Sequence, residues 1–291
     1  MHDEALGPHP EEAGMSEPRS WLFVPADSEK KIAKALDSEA DAIIFDLEDS
    51  VAPGQKSAAR AILKDLADRS GGPSWWVRIN PIGSDQHKDD LSLLARSDFA
   101  GIVLPKAESG ADIRELAHRT GNVPIHAIVT ETAASLFGLL SYRDPGSPLT
   151  AMSWGAEDLS AALGAASKYD DNGELSFTFK LARSLCLAGA AAAGVQPVDG
   201  VFADFRDDEG LARETTAARR EGFTGKLAIH PGQVAIINTA FAPSPEDVAQ
   251  ATAVVAAFEA QPDAGVLSVD GKMVDRPHLV QARRVLERAS R

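Results

Sequence analysis

Eight short apolar runs rich in β-branched and aromatic residues recur along this chain, each followed by a stretch long enough for a helix. They are Arg19–Ala26, Ala42–Glu48, Trp75–Asn80, Gly101–Lys106, Pro124–Glu131, Ala151–Asp158, Val198–Asp204 and Lys226–Pro231. Strand and helix patterns in strict alternation imply a parallel sheet, and eight such units match a closed (β/α)8 barrel, a TIM barrel. An open doubly wound sheet would show a glycine-rich phosphate turn after its first strand. The first turn here reads PADSEKK, so the barrel is the expected fold.

The ends of these runs carry chemistry. In order they present Asp46 and Glu48, Arg78 and Asn80, Lys106, Glu131, Asp158, Asp204 and His230. A barrel gathers all its strand C-termini at one mouth, so residues far apart in sequence become neighbours there. A helix cap or first-turn position accounts for Glu131 or Asp158 taken singly, and a structural ion pair is an equal alternative for Asp204 and His230. Ionisable groups at the same end of most strands are harder to explain by packing. Clustered acids repel unless a cation or the bases Arg78 and Lys106 compensate them, which points to a divalent metal, Mg2+ with positions left open.

Of the 291 residues, 29 are basic and 43 acidic, a net charge of −14 that argues against nucleic acid and anionic membranes as partners. No apolar run approaches the length of a membrane span. The single cysteine, Cys186, stands in an Ala-rich helical stretch, where a buried structural thiol is expected and a cytoplasmic location fits. Residues 1–18 are acidic and aperiodic and read as a flexible arm; residues 19–241 hold the barrel. From Ala242 the pattern changes to a helix capped by Ser244 and Pro245, a hairpin about Asp270–Gly271, and a basic helix from Pro277. This helix–hairpin–helix extension, 242–291, is surplus to the eight units and suits a lid, an oligomerisation arm or a stabilising cap.

The motifs FVPADSEKK, FDLEDSV, VRIN, LPKAES, TETA, GAEDL, GFTGKLAIHP and FAPSPE closely resemble, in order, those of the citrate lyase β-subunit-like enzymes. That group includes the malyl-CoA and citramalyl-CoA lyases within the HpcH/HpaI aldolase superfamily. The resemblance implies a Mg2+-dependent barrel making or breaking a carbon–carbon bond beside a thioester carbonyl. It implies Glu131 and Asp158 as metal ligands and Arg78 as a substrate-binding residue. It also implies Asp275, in the motif MVD, as an acid–base group working in a neighbouring subunit, and a homotrimer or hexamer. Thr130 stands where an aliphatic residue is common, and Trp154 where a smaller or Phe side chain is usual, so that it could narrow the pocket.

The chemistry is consistent with those residue types. Arg78 can bind a carboxylate or stabilise enolate charge, and Asp275 can exchange a proton at the enolate carbon. Asp46, Glu48 and Asp49 could position water or substrate around the metal, and Lys106 could compensate charge. The expected reaction cleaves or forms a malyl-CoA-like or citramalyl-CoA-like 3-hydroxyacyl thioester, with acetyl-CoA and a 2-oxo acid as products. A CoA-free 2-oxo-acid aldolase, a citrate lyase β subunit acting on a carrier-protein thioester, and a barrel that binds without turnover remain alternatives.

Overall fold

The computed structural model describes residues 17–66, 73–95, 98–144 and 146–290. The arm expected over residues 1–18 lies almost wholly outside them, as do Arg69 and Arg96, where the sequence pattern predicts that the helices after the second and third strands end. The chain divides into two compact units, one spanning Pro18–Phe241 and one holding the described residues from Ala242 onward.

The first unit runs β1 (Ser20–Pro25), α1 (Glu29–Leu36), β2 (Ala42–Asp46), α2 (Lys56–Leu66), β3 (Ser74–Arg78), α3 (His87–Leu94), β4 (Gly101–Leu104) and α4 (Gly110–Thr120). It continues with β5 (Ile125–Val129), α5 (Ser135–Gly138), β6 (Leu149–Trp154), α6 (Ala156–Leu163), α7 (Phe177–Ala193), β7 (Gln196–Asp199), α8 (Asp208–Glu221), β8 (Gly225–Ala228) and α9 (Val234–Phe241). The eight strands close into a barrel in sequence order, and β1 seals it by pairing in parallel with β8, Trp21 opposite Leu227. The (β/α)8 barrel is therefore the fold.

Strand alternation sorts the side chains into two layers. Trp21, Ala42, Ile44, Trp76, Val103, Ile128, Ala151, Val198 and Leu227, drawn from all eight strands, form one buried cluster inside the barrel. Their sequence neighbours Leu22, Ile43, Phe45, Val77, Ile102 and Met152 pack outward with Ile32, Leu63, Ile113 and Leu116 of the helices. Each fully buried large side chain of this kind contributes about 1.5–3 kcal/mol. Two residues beyond Trp21, Ile44 and Trp76 the same inward face carries Phe23, Asp46 and Arg78, so the period of two delivers polar groups to the mouth. Cys186 is buried in α7, as a structural thiol would be, and burial pushes its pKa up.

Three expectations need correction. The seventh strand ends at Asp199, not Asp204, because Asp199 is fixed there by buried partners and a Cβ on Gly200 would come 2.9 Å from Trp154 Nε1. Val201 and Phe202 pack as loop residues although they look like strand. The helix expected after β5 shrinks to α5 and a 3-10 turn, Leu139–Tyr142; at their junction Gly138 passes so close to Glu108 that a Cβ would sit 1.9 Å from its carbonyl oxygen. Trp154, expected to narrow the pocket, points outward into the helix–strand layer, where its Nε1 donates to Asp199 Oδ1 at 2.8 Å.

The second unit comprises α10 (Pro245–Ala260), β9 (Val266–Val269), β10 (Lys272–Asp275) and α11 (Arg276–Ala289). Ser244 caps α10 in a capping box with Asp247, and the hairpin turns at Asp270 and Gly271, both at positive φ. A separate core of Ala251, Val254, Phe258, Val274, Leu279 and Ala282 holds helices and hairpin together. No described helix is long and apolar enough to cross a membrane.

Candidate active site

Asp46, last residue of β2, is 1% exposed and both of its oxygens are engaged. Oδ1 accepts from Arg78 Nε (2.7 Å) and the Glu48 N–H (2.8 Å), and Oδ2 from Arg78 Nη2 (2.7 Å) and the Ser50 N–H (3.1 Å). Burial alone would raise this carboxyl, but the Arg78 charge and the donors around it hold it below the usual carboxylate range. Asp46 was expected to contact water or substrate; here both of its oxygens are engaged by Arg78 and by main-chain N–H groups, which orients Arg78. The guanidinium also lies over the Phe23 ring, 4.6 Å from its centroid. Its remaining Nη1 is 3.0 Å from Glu48 Oε2, an oxygen that makes no hydrogen bond.

Glu48 is 2% exposed, and burial outweighs Arg78 and Lys106 to leave its pKa raised. Its Oε1 accepts from Lys106 Nζ, which also reaches Asp49 Oδ2 at 3.1 Å and Asp158 Oδ1 at 3.3 Å. Lys106 follows β4 with φ of 53°, and its backbone N–H donates to Glu131 Oε2 at 2.5 Å. Glu131 follows Thr130, itself at φ 61°, and is 4% exposed. Non-glycine residues in the left-handed region cost about 1–3 kcal/mol and concentrate at functional sites. Burial pushes the Glu131 carboxyl up to about 8; the Lys106 N–H opposes this, and the charges of Glu48 and Asp158 add to it. Asp158 occupies the first turn of α6, as its simpler reading had it, but it also faces Lys106 with its side chain a third exposed.

The mouth thus brings together Asp46, Glu48, Asp49, Arg78, Lys106, Glu131 and Asp158. Other strand-end residues stand apart from them. Asp204 is exposed and accepts from the Arg206 N–H, closing a local turn. His230 is exposed, caps the turn Pro231–Gln233 through Nδ1 and stacks on Phe205. Asn80 is structural, bonded to Asp90, Leu47 O and Lys56. Asp275, in the second unit, caps α11 and meets His278 Nδ1 at 2.5 Å; that contact holds its carboxyl below the usual range.

Sequence reasoning missed two supporting residues. Lys56 Nζ donates to Leu47 O (2.8 Å), Glu48 O (3.0 Å) and Asn80 Oδ1 (2.6 Å), pinning the loop that carries Glu48. A lysine at the first residue of α2, where the helix dipole disfavours a cation, was the available signal. Gly155 is the other: a Cβ there would lie 2.7 Å from Glu131 Cγ and Oε1.

Glu131 and Asp158 offer hard oxygen donors beside the further carboxylates Glu48 and Asp49, and the Glu131 carboxyl is raised mainly by burial, with the charges of Glu48 and Asp158 adding to it. Among the described residues no group of three or more metal-ligating side chains occurs. Two carboxylates fit a cation such as Mg2+ that keeps several waters, and not one caged wholly by protein.

Residues 19–231 match the family described as HpcH/HpaI aldolase/citrate lyase. The chain belongs to that family. The match contains the whole charged mouth, whereas Asp275 lies beyond it. A (3S)-malyl-CoA thioesterase of Cereibacter sphaeroides is 37% identical over 277 residues, covering 93% of this chain and 94% of that protein. The mitochondrial citramalyl-CoA lyase of Homo sapiens is 35% identical over 298 residues, covering 94% and 85%. Among solved structures, the CitE protein of Mycobacterium tuberculosis in complex with magnesium, acetoacetate and coenzyme A aligns with a TM-score of 0.82. It shares 37% identity over 95% of this chain and 99% of that one. Lyases are therefore prominent among the family relatives of this chain.

Proposed function

We propose that the chain is a Mg2+-dependent carbon–carbon lyase that cleaves, or in reverse forms, a malyl-CoA-like or citramalyl-CoA-like thioester. The observation that carries this reading is the pairing at the mouth of two acids on one lysine, Glu131 and Asp158 on Lys106, beside an arginine preset by Asp46. In the cleavage direction the 3-hydroxyl loses its proton and the carbon–carbon bond breaks. Its electrons pass to the thioester carbonyl as an enolate, and the enolate carbon then takes a proton. The products are a 2-oxo acid and acetyl-CoA.

Held by Glu131 and Asp158, Mg2+ would supply Lewis-acid polarisation of the oxo acid's oxygens. Arg78 keeps Nε and Nη2 on Asp46, and its Nη1, which faces Glu48 Oε2 at 3.0 Å, is the donor that would turn to an enolate or carboxylate oxygen. Glu48 and Lys106 balance charge around it. Asp275, on the strength of the family resemblance, is assigned the proton exchange at the enolate carbon, in its own or a neighbouring subunit of a homotrimer or hexamer. His278 is the partner it must leave to do so. Support for the thioester comes from the CoA named in each of the three relatives.

Thioester hydrolysis is a second reading, favoured by the malyl-CoA thioesterase relative. Malyl-CoA, citramalyl-CoA and the corresponding free acids, each assayed with Mg2+ and with excess chelator, separate the cases. A lyase releases 2-oxo acid without free thiol; a hydrolase releases thiol without oxo acid. Full activity in chelator would remove the metal from the scheme, and turnover of free acids alone would replace the lyase by a CoA-free aldolase.

A further inference from the structure

Lys106 touches both acids assigned to the cation, through two different atoms. Its main-chain N–H donates to Glu131 at 2.5 Å, while its ammonium, at the end of a flexible stem, lies 3.3 Å from Asp158. The first contact depends on the backbone alone, held at a φ of 53°. The second is the longest of the ammonium's three carboxylate contacts, after Glu48 and Asp49 at 3.1 Å. Three carboxylates, Glu48, Asp49 and Asp158, thus share one side-chain ammonium, supplemented at Glu48 by Arg78, while the fourth, Glu131, has the Lys106 main-chain N–H. An ammonium and a divalent cation on the same Asp158 carboxylate would repel strongly at such separations. The stem leaves the ammonium free to withdraw onto Glu48 and Asp49 without disturbing the N–H bond to Glu131.

We propose that Lys106 is an exchangeable counter-cation: its ammonium holds Asp158 while no divalent ion is bound and yields that contact when one binds. This rests on the assignment of the cation to Glu131 and Asp158. Two consequences distinguish it from a fixed structural ion pair. Removing the charge should tighten metal binding, because a competitor is gone. It should also destabilise the metal-free protein more than the metal-loaded one, because the acids then repel one another until the ion arrives.

The test is calorimetric titration of metal-free protein with MgCl2, together with thermal unfolding with and without saturating Mg2+. Lys106→Met is expected to bind Mg2+ about tenfold more tightly than the wild type. Its Tm should fall without the metal and return toward the wild type with it. Lys106→Arg should restore wild-type affinity to within about twofold, since it keeps the charge. Should the Met variant fail to fold, Lys106→Gln carries the same expectation. Unchanged or weaker Mg2+ binding in the neutral variants overturns the exchange. Glu131→Gln and Asp158→Asn serve as controls. If both weaken Mg2+ binding while the neutral Lys106 variants do not tighten it, the exchange alone fails. If neither weakens it, the cation assignment fails, and the exchange with it.

Discussion

At the scale of single residues, the site is built by neighbours that contact no ligand. Gly155 leaves the space that the Glu131 side chain fills, so a methyl there must displace a buried carboxylate with little slack. Gly155→Ala should therefore weaken Mg2+ binding by about tenfold or more while leaving Tm within a few degrees, checked by calorimetry and thermal unfolding. Arg78 matters by the shape of its fork: two nitrogens lock on Asp46 and the third faces Glu48. Arg78→Lys keeps the charge but loses that division, and activity should fall about a hundredfold in steady-state kinetics. His126 faces into the barrel, where its Nε2 meets Ser153 Oγ at 2.9 Å, its Nδ1 has no partner and its ring sits edge-on to Trp21. Burial pushes its pKa down from 6.5 to about 3. Below pH 6.5 the unfolded chain takes up a proton that the folded chain refuses, so stability falls as pH drops from 6.5 toward 3. Between pH 7 and pH 5 this loss amounts to about 2 kcal/mol. Urea midpoints of His126→Gln should show that much less acid sensitivity than the wild type.

At the scale of elements, the seventh and eighth strands are locked to their helices by charge. Lys226 on β8 is fully buried and pairs with Asp199 on β7 and Glu214 on α8 at 2.8 and 2.7 Å. Asp199 also accepts from Arg183 on α7 and from Trp154 on β6, and its carboxyl is held well below the usual range. Burial raises that carboxyl, and the two cations more than reverse the effect. Neutralising Asp199 removes the buried carboxylate that Lys226 and Arg183 share, leaving them only the more exposed Glu214 and Glu221. Asp199→Asn should cost about 3 kcal/mol in urea unfolding, with Mg2+ affinity little changed if β6 keeps its place. The same network explains why β7 stops at Asp199, four residues after Val195, in a stretch whose later apolar residues look equally strand-like.

At the scale of the whole molecule, two cores coexist. The barrel unit contains all eight strands and both of its hydrophobic layers, while the residues after Ala242 have a core of their own. Each unit has a hydrophobic core of its own, and a unit with its own core is expected to fold alone. A chain ending at Phe241 should unfold cooperatively and retain Mg2+ binding, as seen by circular dichroism and calorimetry. It should lack carbon–carbon cleavage if Asp275 moves the proton; cleavage at the wild-type rate would reassign that step to the barrel.

The sequence by itself determined the alternation of eight strands and helices, the cap at Ser244 and the hairpin at Asp270–Gly271. These are local matters, written in periodicity and turn chemistry, and the family motifs lie on the same residues. Only the tertiary structure decided which of the strand-end groups meet. Asp46, Glu48, Arg78, Lys106, Glu131 and Asp158 converge, whereas His230 and Asp204 close local turns. It also decided that Asp46 serves Arg78 and that Trp154 faces outward. Lys56 and Gly155 acquired their roles in the same way. Which side chain reaches which depends on barrel closure and on inward or outward facing, and those are properties of strands in register, not of any one strand's sequence.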